Sequence, residues 1–192
     1  VKLKFCSQCG NTLAHRVPDN DNLPRYICDH CNIVHYQNPR MVVGCLPVWH
    51  DQVLLCRRAI EPRRGFWTLP AGYMENGETT QAGALRETWE EAHAKVDKVE
   101  LYRLFDLPHI NQVYFFYRAE LVDGKFGVGP ESLETRLFAE DEIPWRELAF
   151  PIVGETLTEY FEDRRSGQFN VRISEVDMSW WTRLKMDSRG GE

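Results

Sequence analysis

No stretch of these 192 residues is apolar for long enough to cross a bilayer, which sets aside the helical membrane class. Positive charge is also scarce. Against 29 Asp and Glu stand only 23 Lys and Arg, a net charge of −6, and this argues against broad attraction to nucleic acid or an anionic membrane while leaving room for a local basic patch around phosphate. No internal repeat is present. Because VKLKF is followed at once by CSQCG, no signal or transit peptide is expected, and the cytoplasm is the expected setting. What the chain does have is 43% hydrophobic residues, enough for a real core in one substantial domain plus a small module.

Cysteine is sparse, six in all, yet four are arranged as Cys6-x-x-Cys9, eighteen intervening residues, then Cys28-x-x-Cys31. That spacing lets two knuckles present four thiolates to one tetrahedral zinc. Gly10 and Asn32 follow the second cysteine of each pair, where a tight knuckle uses a left-handed backbone. Disulfides and a redox CxxC are weaker readings without a secretory signal. A segment this short rarely supports its own core, so residues 1–37 are expected to form a zinc ribbon whose metal is structural. His15, His30 and His35 are left over; each is able to replace a cysteine as a ligand, but the four-cysteine set is complete and they read as surface or packing residues. Cys45 and Cys56 lie in apolar surroundings and read as small buried hydrophobes.

The chemistry concentrates between Gly72 and Ala94, GYMENGETTQAGALRETWEEAHA. A helix capped by Thr79 or Thr80 places Leu85, Trp89, Ala92 and Val96 on one face and Glu87, Glu90 and Glu91 on the other. Like charges at such spacing repel by a few tenths of a kcal/mol per pair, and a divalent cation offsets that repulsion. An oxygen-only carboxylate site suits Mg²⁺, or Mn²⁺ in its place, completed by water and substrate phosphate. Arg86, eight residues after Glu78, is placed to hold the loop against the helix by a charge-assisted hydrogen bond. A solvated acidic face remains the plainer reading of three glutamates taken alone.

HYQNPR reads as the connection between modules. After it, MVVGCLPVWH and QVLLCR read as a strand pair, with Pro47 suggesting an edge or a bulge. Arg57, Arg58, Arg63 and Arg64 lead toward the acidic helix and are candidates for substrate phosphates, evenly balanced against ordinary solvated arginines; Phe66 and Trp67 read as core. VELYRLFDLP and QVYFFYRAEL extend the sheet, LVDGKFGVGPESLE reads as a loop, RLFA as a final short strand, and VGETLTEYFEDRR as a covering helix. Beyond Ser166 little period is left, and Trp180-Trp181 read as a docking patch or as packing.

Gly72, then Glu78, then Arg86-Glu87 and Glu90-Glu91 at this spacing resemble the Nudix box of the nucleoside-diphosphate-linked hydrolases. The departures are Thr88 where an aliphatic residue is typical, His93 where a glycine is typical, and the small Ala94. Since histidine takes the helix-ending conformation less readily than glycine, the helix is expected to run slightly further; His93 reads as a solvated residue at the helix C-terminus, with a ligand or base role as the rival. With the ribbon, the segments YQNPRMVVGCL, WTLPAGYMENGE, GPESLE and RLFAEDEIP resemble the plant chloroplast FAD and ADP-ribose diphosphatases of that superfamily. Pro108, fourteen residues beyond Ala94, resembles the downstream proline linked to ADP-ribose hydrolysis.

The resemblance implies an α/β Nudix α/β/α sandwich with a mixed sheet over residues 38–166, preceded by the ribbon and followed by a tail, 167–192. It implies Mg²⁺ ligation by Glu87 and Glu91, with Glu90 binding a second metal or orienting water and the Ala71 or Gly72 carbonyl adding an oxygen. Gly72, Glu78 and Arg86 are the structural positions of the box. A general base is expected from outside it, which makes Glu131 and Glu134 candidates against their reading as solvated loop residues. The implied activity is cleavage of a diphosphate bridge in FAD or ADP-ribose with release of AMP, in a homodimer acting on a small nucleotide without nucleic acid or membrane. Two other readings stand beside it, an NADH diphosphatase and a non-catalytic ADP-ribose sensor; a zinc-ribbon adaptor for protein or nucleic acid is disfavoured by the complete box and the acidic balance.

Overall fold

The structure is a computed structural model that describes residues 2–176, so Trp180 and Trp181 lie outside the described residues. The chain divides between Asn38 and Pro39 into two compact units. Among the described residues no helix is long and apolar enough to cross a membrane.

The first unit is a three-stranded antiparallel sheet of β1 (Ala14–Arg16), β2 (Arg25–Cys28) and β3 (Ile33–His35). Its knuckles close as the cysteine spacing predicts. Gly10 N donates to Cys6 O at 3.0 Å, and Gly10 and Asn32 both take positive φ, 75° and 53°.

In the second unit the strands are β4 (Arg40–Trp49), β5 (Gln52–Arg58), β6 (Trp67–Thr68), β7 (Ala71–Tyr73), β8 (Val96–Leu107), β9 (Gln112–Leu121), β10 (Ser132–Phe138) and β11 (Arg172–Glu175). They form one mixed sheet in the order β10-β5-β4-β9-β8-β11, with β6 paired to β5 and β7 to β4. Pairs β4/β9 and β8/β11 are parallel. Helices α1 (Thr80–Ala92) and α2 (Pro151–Ser166) cover opposite faces. Strand alternation divides the core accordingly. Leu46, Val48, Val53, Leu55 and Phe116 join Ile152, Val153, Leu157 and Phe161 of α2. Val43, Cys45 and Tyr117 join Ala84 of α1, while Leu54 and Cys56 join Ala92. Strands covered on both faces read as unbroken apolar runs, and β4 and β5 do. The α/β/α sandwich expected from the sequence is therefore the fold.

Three local expectations are corrected. Pro47 is at neither an edge nor a bulge but inside the central strand β4, in register with Ala119 of β9. Cys45 N donates away from β9, to Pro70 O, and backbone alternation turns the Pro47 nitrogen the same way, toward a side where the β5 ladder begins only at Val48. Arg136–Phe138 of RLFA end a longer strand, β10, that begins at Ser132 within the segment read as a loop, and it is not the last: β11 lies within the segment read as a tail. Side chains from distant positions pin it. Arg172 pairs with Asp163 of α2 (Nη2 to Oδ1, 2.6 Å), Tyr102 donates to the same carboxylate at 2.8 Å, and Arg103 donates to Ser174 at 2.9 Å.

The third correction concerns α1. Thr79 caps it, accepting from Ala82 N at 3.1 Å. The buried face, however, is Gly83, Ala84, Glu87, Thr88, Glu91 and Ala92, with Leu85 only half-buried and Trp89 exposed. Small residues let the helix lie close on the sheet: a Cβ at Gly83 would press on Val43 and Glu78, and Thr88 satisfies its hydroxyl on Ala84 O at 2.7 Å. The helix does not run on, because His93 adopts the left-handed conformation (φ 45°) that the sequence reading reserved for glycine, and its N–H caps Trp89 O at 2.8 Å.

Candidate active site

In the ribbon, Sγ–Sγ separations are 3.6 Å for Cys6–Cys31, 3.4 Å for Cys9–Cys28 and 3.7 Å for Cys9–Cys31. A tetrahedron of thiolates about 2.3 Å from zinc has edges of about 3.8 Å, and a disulfide needs about 2.05 Å, so the donor set fits zinc. All six cysteines are free thiols. His35 Nε2 sits 3.3 Å from Cys6 Sγ, placed to donate to a thiolate from outside the set. His15 packs on Tyr26, and His30 is exposed.

In the second unit, α1, the β7 loop and the ends of β8 and β9 enclose a cavity of about 960 Å³. Glu87, Glu90, Glu91 and Arg86 face it from α1, Ala71 and Gly72 from β7, and Glu131 from the loop before β10. The same cavity is also lined by the apolar Leu107, Tyr114, Phe116 and Phe150.

Arg86 organises the acidic side. It grips Glu78 with Nε (3.1 Å) and Nη2 (2.8 Å), as the spacing predicts, and also reaches Glu87 (2.7 Å), Glu90 (3.2 Å) and Tyr73 O (3.2 Å). That grip, with the Glu75 N–H, holds Glu78 down at about 2. Glu91 is the opposite case: burial first, then the charge of Glu87, pushes its carboxyl up to about 8, and burial likewise raises Glu87. Ala71 N gives Glu91 a long hydrogen bond, 3.3 Å, and a Cβ on Gly72 would collide with the Glu87 carboxylate. Glycine is thus required at that position for the carboxylate to lie against the backbone.

Among the described residues, only the cysteines bring three or more His, Cys, Asp or Glu ligand atoms within 4.8 Å of one another. The glutamates stand wider, with Arg86 interposed. Buried, mutually repelling carboxylates beside a polar backbone nevertheless suit a hard cation that takes one or two of them and keeps its waters.

The other candidates separate. Arg58 lines the cavity, its guanidinium stacked 5.2 Å from the Phe150 centroid and its positive charge felt at Glu91. Arg57 instead donates to Gly65 O (2.9 Å) and pairs with Glu134 at 3.8 Å; Arg63 stacks on Phe66, and Arg64 is exposed. These three, and Glu134, lie off the cavity, as does Pro108, although its neighbours Leu107 and His109 line it. Glu131 is delivered by a loop docked on the end of α1, where Gly127 N caps Ala92 O (2.6 Å) and Gly129 N caps Glu91 O (3.0 Å). Sequence reading missed Tyr114 and Phe150 as cavity residues and took Trp89, which also lines it, for core. Their aromatic composition looks the same whether it faces a core or a cleft.

The Nudix N-terminal zinc-ribbon family model matches residues 4–37, and the NUDIX domain model matches 38–160. The NAD-capped RNA hydrolase NudC of Salmonella typhi is 28% identical over 145 residues, 73% of this chain and 53% of that protein. That of Photorhabdus laumondii is 26% identical over 68% of this chain and 49% of the relative, so the chain spans about half the length of the curated relatives it matches. A crystal structure of a NUDIX hydrolase from Nitrosomonas europaea is 54% identical, with a TM-score of 0.87 over 91% of this chain and 99% of that one. An ADP-ribose pyrophosphatase from Streptococcus suis, 22% identical with a TM-score of 0.58 over 71% of this chain and 99% of that one, shares the fold.

Proposed function

The chain belongs to the NUDIX domain family and carries the Nudix N-terminal zinc ribbon, and from that premise we propose that it is a divalent-metal-dependent diphosphatase cleaving the P–O–P bridge of FAD and/or ADP-ribose to release AMP. One observation carries the reading: two buried carboxylates, Glu87 and Glu91, lie against Gly72 and Ala71 in a cavity large enough for a dinucleotide.

Glu87 and Glu91, aided by Glu90 and the backbone at Ala71 and Gly72, would hold Mg²⁺ or Mn²⁺, which when bound neutralises phosphate charge and acidifies water. Arg58, its guanidinium over the Phe150 ring and its Nε donating to Pro62 O, offers its remaining N–H groups to a phosphate. Glu131 accepts the proton of the attacking water as its oxygen bonds to phosphorus, and the bridging oxygen leaves with the second phosphate. Glu134 is not assigned that role, because it is paired with Arg57 outside the cavity. A homodimer and a cytoplasmic setting belong to the same reading; four reduced thiols around zinc suit that compartment.

The NAD-capped RNA hydrolase activity of the NudC relatives favours a second reading, NAD-linked substrates including NAD-capped RNA, which contain the same bond. Product identity separates these. With Mg²⁺ and mildly alkaline buffer, AMP plus FMN from FAD, or AMP plus ribose 5-phosphate from ADP-ribose, is the expected result. NADH or capped RNA cleaved faster than both supports the second reading; dominant pyrophosphate release from triphosphates contradicts both, and binding without cleavage supports the sensor.

The docked loop supplies a further test. A Cβ at Gly129 would run into the Glu90 carbonyl, so Gly129→Ala should lift the loop and displace Glu131, lowering kcat by about a hundredfold. Gly127→Ala meets only the His93 side chain, at 3.3 Å, and should cost far less. Equal kcat values for both variants would separate Glu131 from the loop's docking.

A further inference from the structure

Burying an indole is one of the largest single gains available to a soluble core. Of the four tryptophans among the described residues, Trp49 and Trp145 are half-buried and Trp67 is buried, but Trp89 is 48% exposed. It stands off the packing face of α1, whose buried residues include Gly83, Ala84, Thr88 and Ala92. Trp89 instead lines the cavity with Arg86, Glu90 and His93. His93 lies one turn on, its ring 5.4 Å from the indole and tilted by 53°, and is itself fixed by the contact of its Nδ1 with Trp89 O at 3.1 Å. Lys95 Nζ stands 5.8 Å from the indole centroid.

The cavity lining is therefore of two kinds, one buried and one exposed to solvent. Phe116 and Leu107 are buried, and with Tyr114 and Phe150 they form an inner apolar wall suited to the arm that every adenosine diphosphate substrate shares. Trp89 and His93 stand where the cavity meets solvent and where the other arm can differ in size. We propose that Trp89 is a stacking platform for a planar heteroaromatic ring on the second arm of the substrate, which makes this a site for dinucleotides with a ring on both sides of the diphosphate, flavin or nicotinamide, in preference to sugar-ended compounds. The proposal rests on the diphosphatase reading. Stacking on an exposed aromatic side chain accepts any flat ring, so the platform selects for the presence of a ring and not for its hydrogen-bond pattern.

Steady-state kinetics of the full chain with its zinc, on FAD, NADH and ADP-ribose, test it. Trp89→Ala should raise the ratio of KM for FAD to KM for ADP-ribose by about tenfold, and the NADH ratio similarly, while Trp89→Phe restores both. A general loosening of α1 would move kcat for all three substrates and would leave the ratios alone. Ratios unchanged in Trp89→Ala, with active wild-type protein, overturn the platform. Wild-type protein that cleaves none of the three overturns the diphosphatase reading and the platform with it.

Discussion

Glu91→Gln is expected to lower turnover by roughly a thousandfold, the size of effect that goes with losing several kcal/mol of charge stabilisation in the transition state. Glu87→Gln should follow closely. Both side chains are buried, and each lies against backbone of the β7 loop, so the neutral isostere keeps the volume and removes only the charge. Stability should move the other way. Burial and Glu87 raise the Glu91 carboxyl from 4.5 to about 8 in the folded protein, so the fold favours the protonated form. This contribution is complete below the unfolded value and is lost as pH rises toward 8. In the absence of added divalent cation, Glu91→Gln should therefore melt a few degrees above wild type near pH 8 and show little difference near pH 4.5. Near-normal rates for both variants at limiting Mg²⁺ would remove α1 from the chemistry.

Cys28→Ser should abolish tight zinc binding and unfold the first unit. Cys28 is fully buried in a three-stranded sheet of three- and four-residue strands, far too small a core to persist without its metal. Thiolates and hard cations are mismatched, so Mg²⁺ should not displace the zinc. Elemental analysis should find one zinc per chain in fresh, reduced wild-type protein and none in the variant, whose residues 1–38 should become sensitive to protease. Zinc-free wild-type protein with four reduced ribbon thiols would refute the ribbon as a metal site.

How much of this was legible in the sequence depended on whether a signal was local. The cysteine knuckles, the Thr79 cap and the Arg86–Glu78 grip each depend on residues a fixed distance apart in one segment, and the structure has them where the spacing put them. The face of α1 was misjudged because periodicity assigns carboxylates to water and large apolar residues to the core. Here the helix packs through glycine, alanine and threonine, which carry little apolar weight, while Glu87 and Glu91 turn inward toward the cavity. β11 escaped notice for a different reason. Its four residues hold one large hydrophobe, Ile173, and its anchoring comes from Asp163, Tyr102 and Arg103, which no local pattern connects to it. Choosing between Glu131 and Glu134 also required the third dimension, since strand β10 carries Glu134 beside Arg57 and away from the cavity that Glu131 lines.

On the proposed reading the carboxylates of α1 hold a divalent cation, in a chain whose other candidate metal site is sulfur. Titration of the zinc-loaded protein with Mn²⁺, followed by electron paramagnetic resonance, tests it without reference to any substrate. Wild type should bind Mn²⁺ saturably, and the Glu87→Gln, Glu91→Gln double variant should lose that binding while keeping its zinc. Equal Mn²⁺ binding by the two proteins would contradict a divalent-cation site on α1.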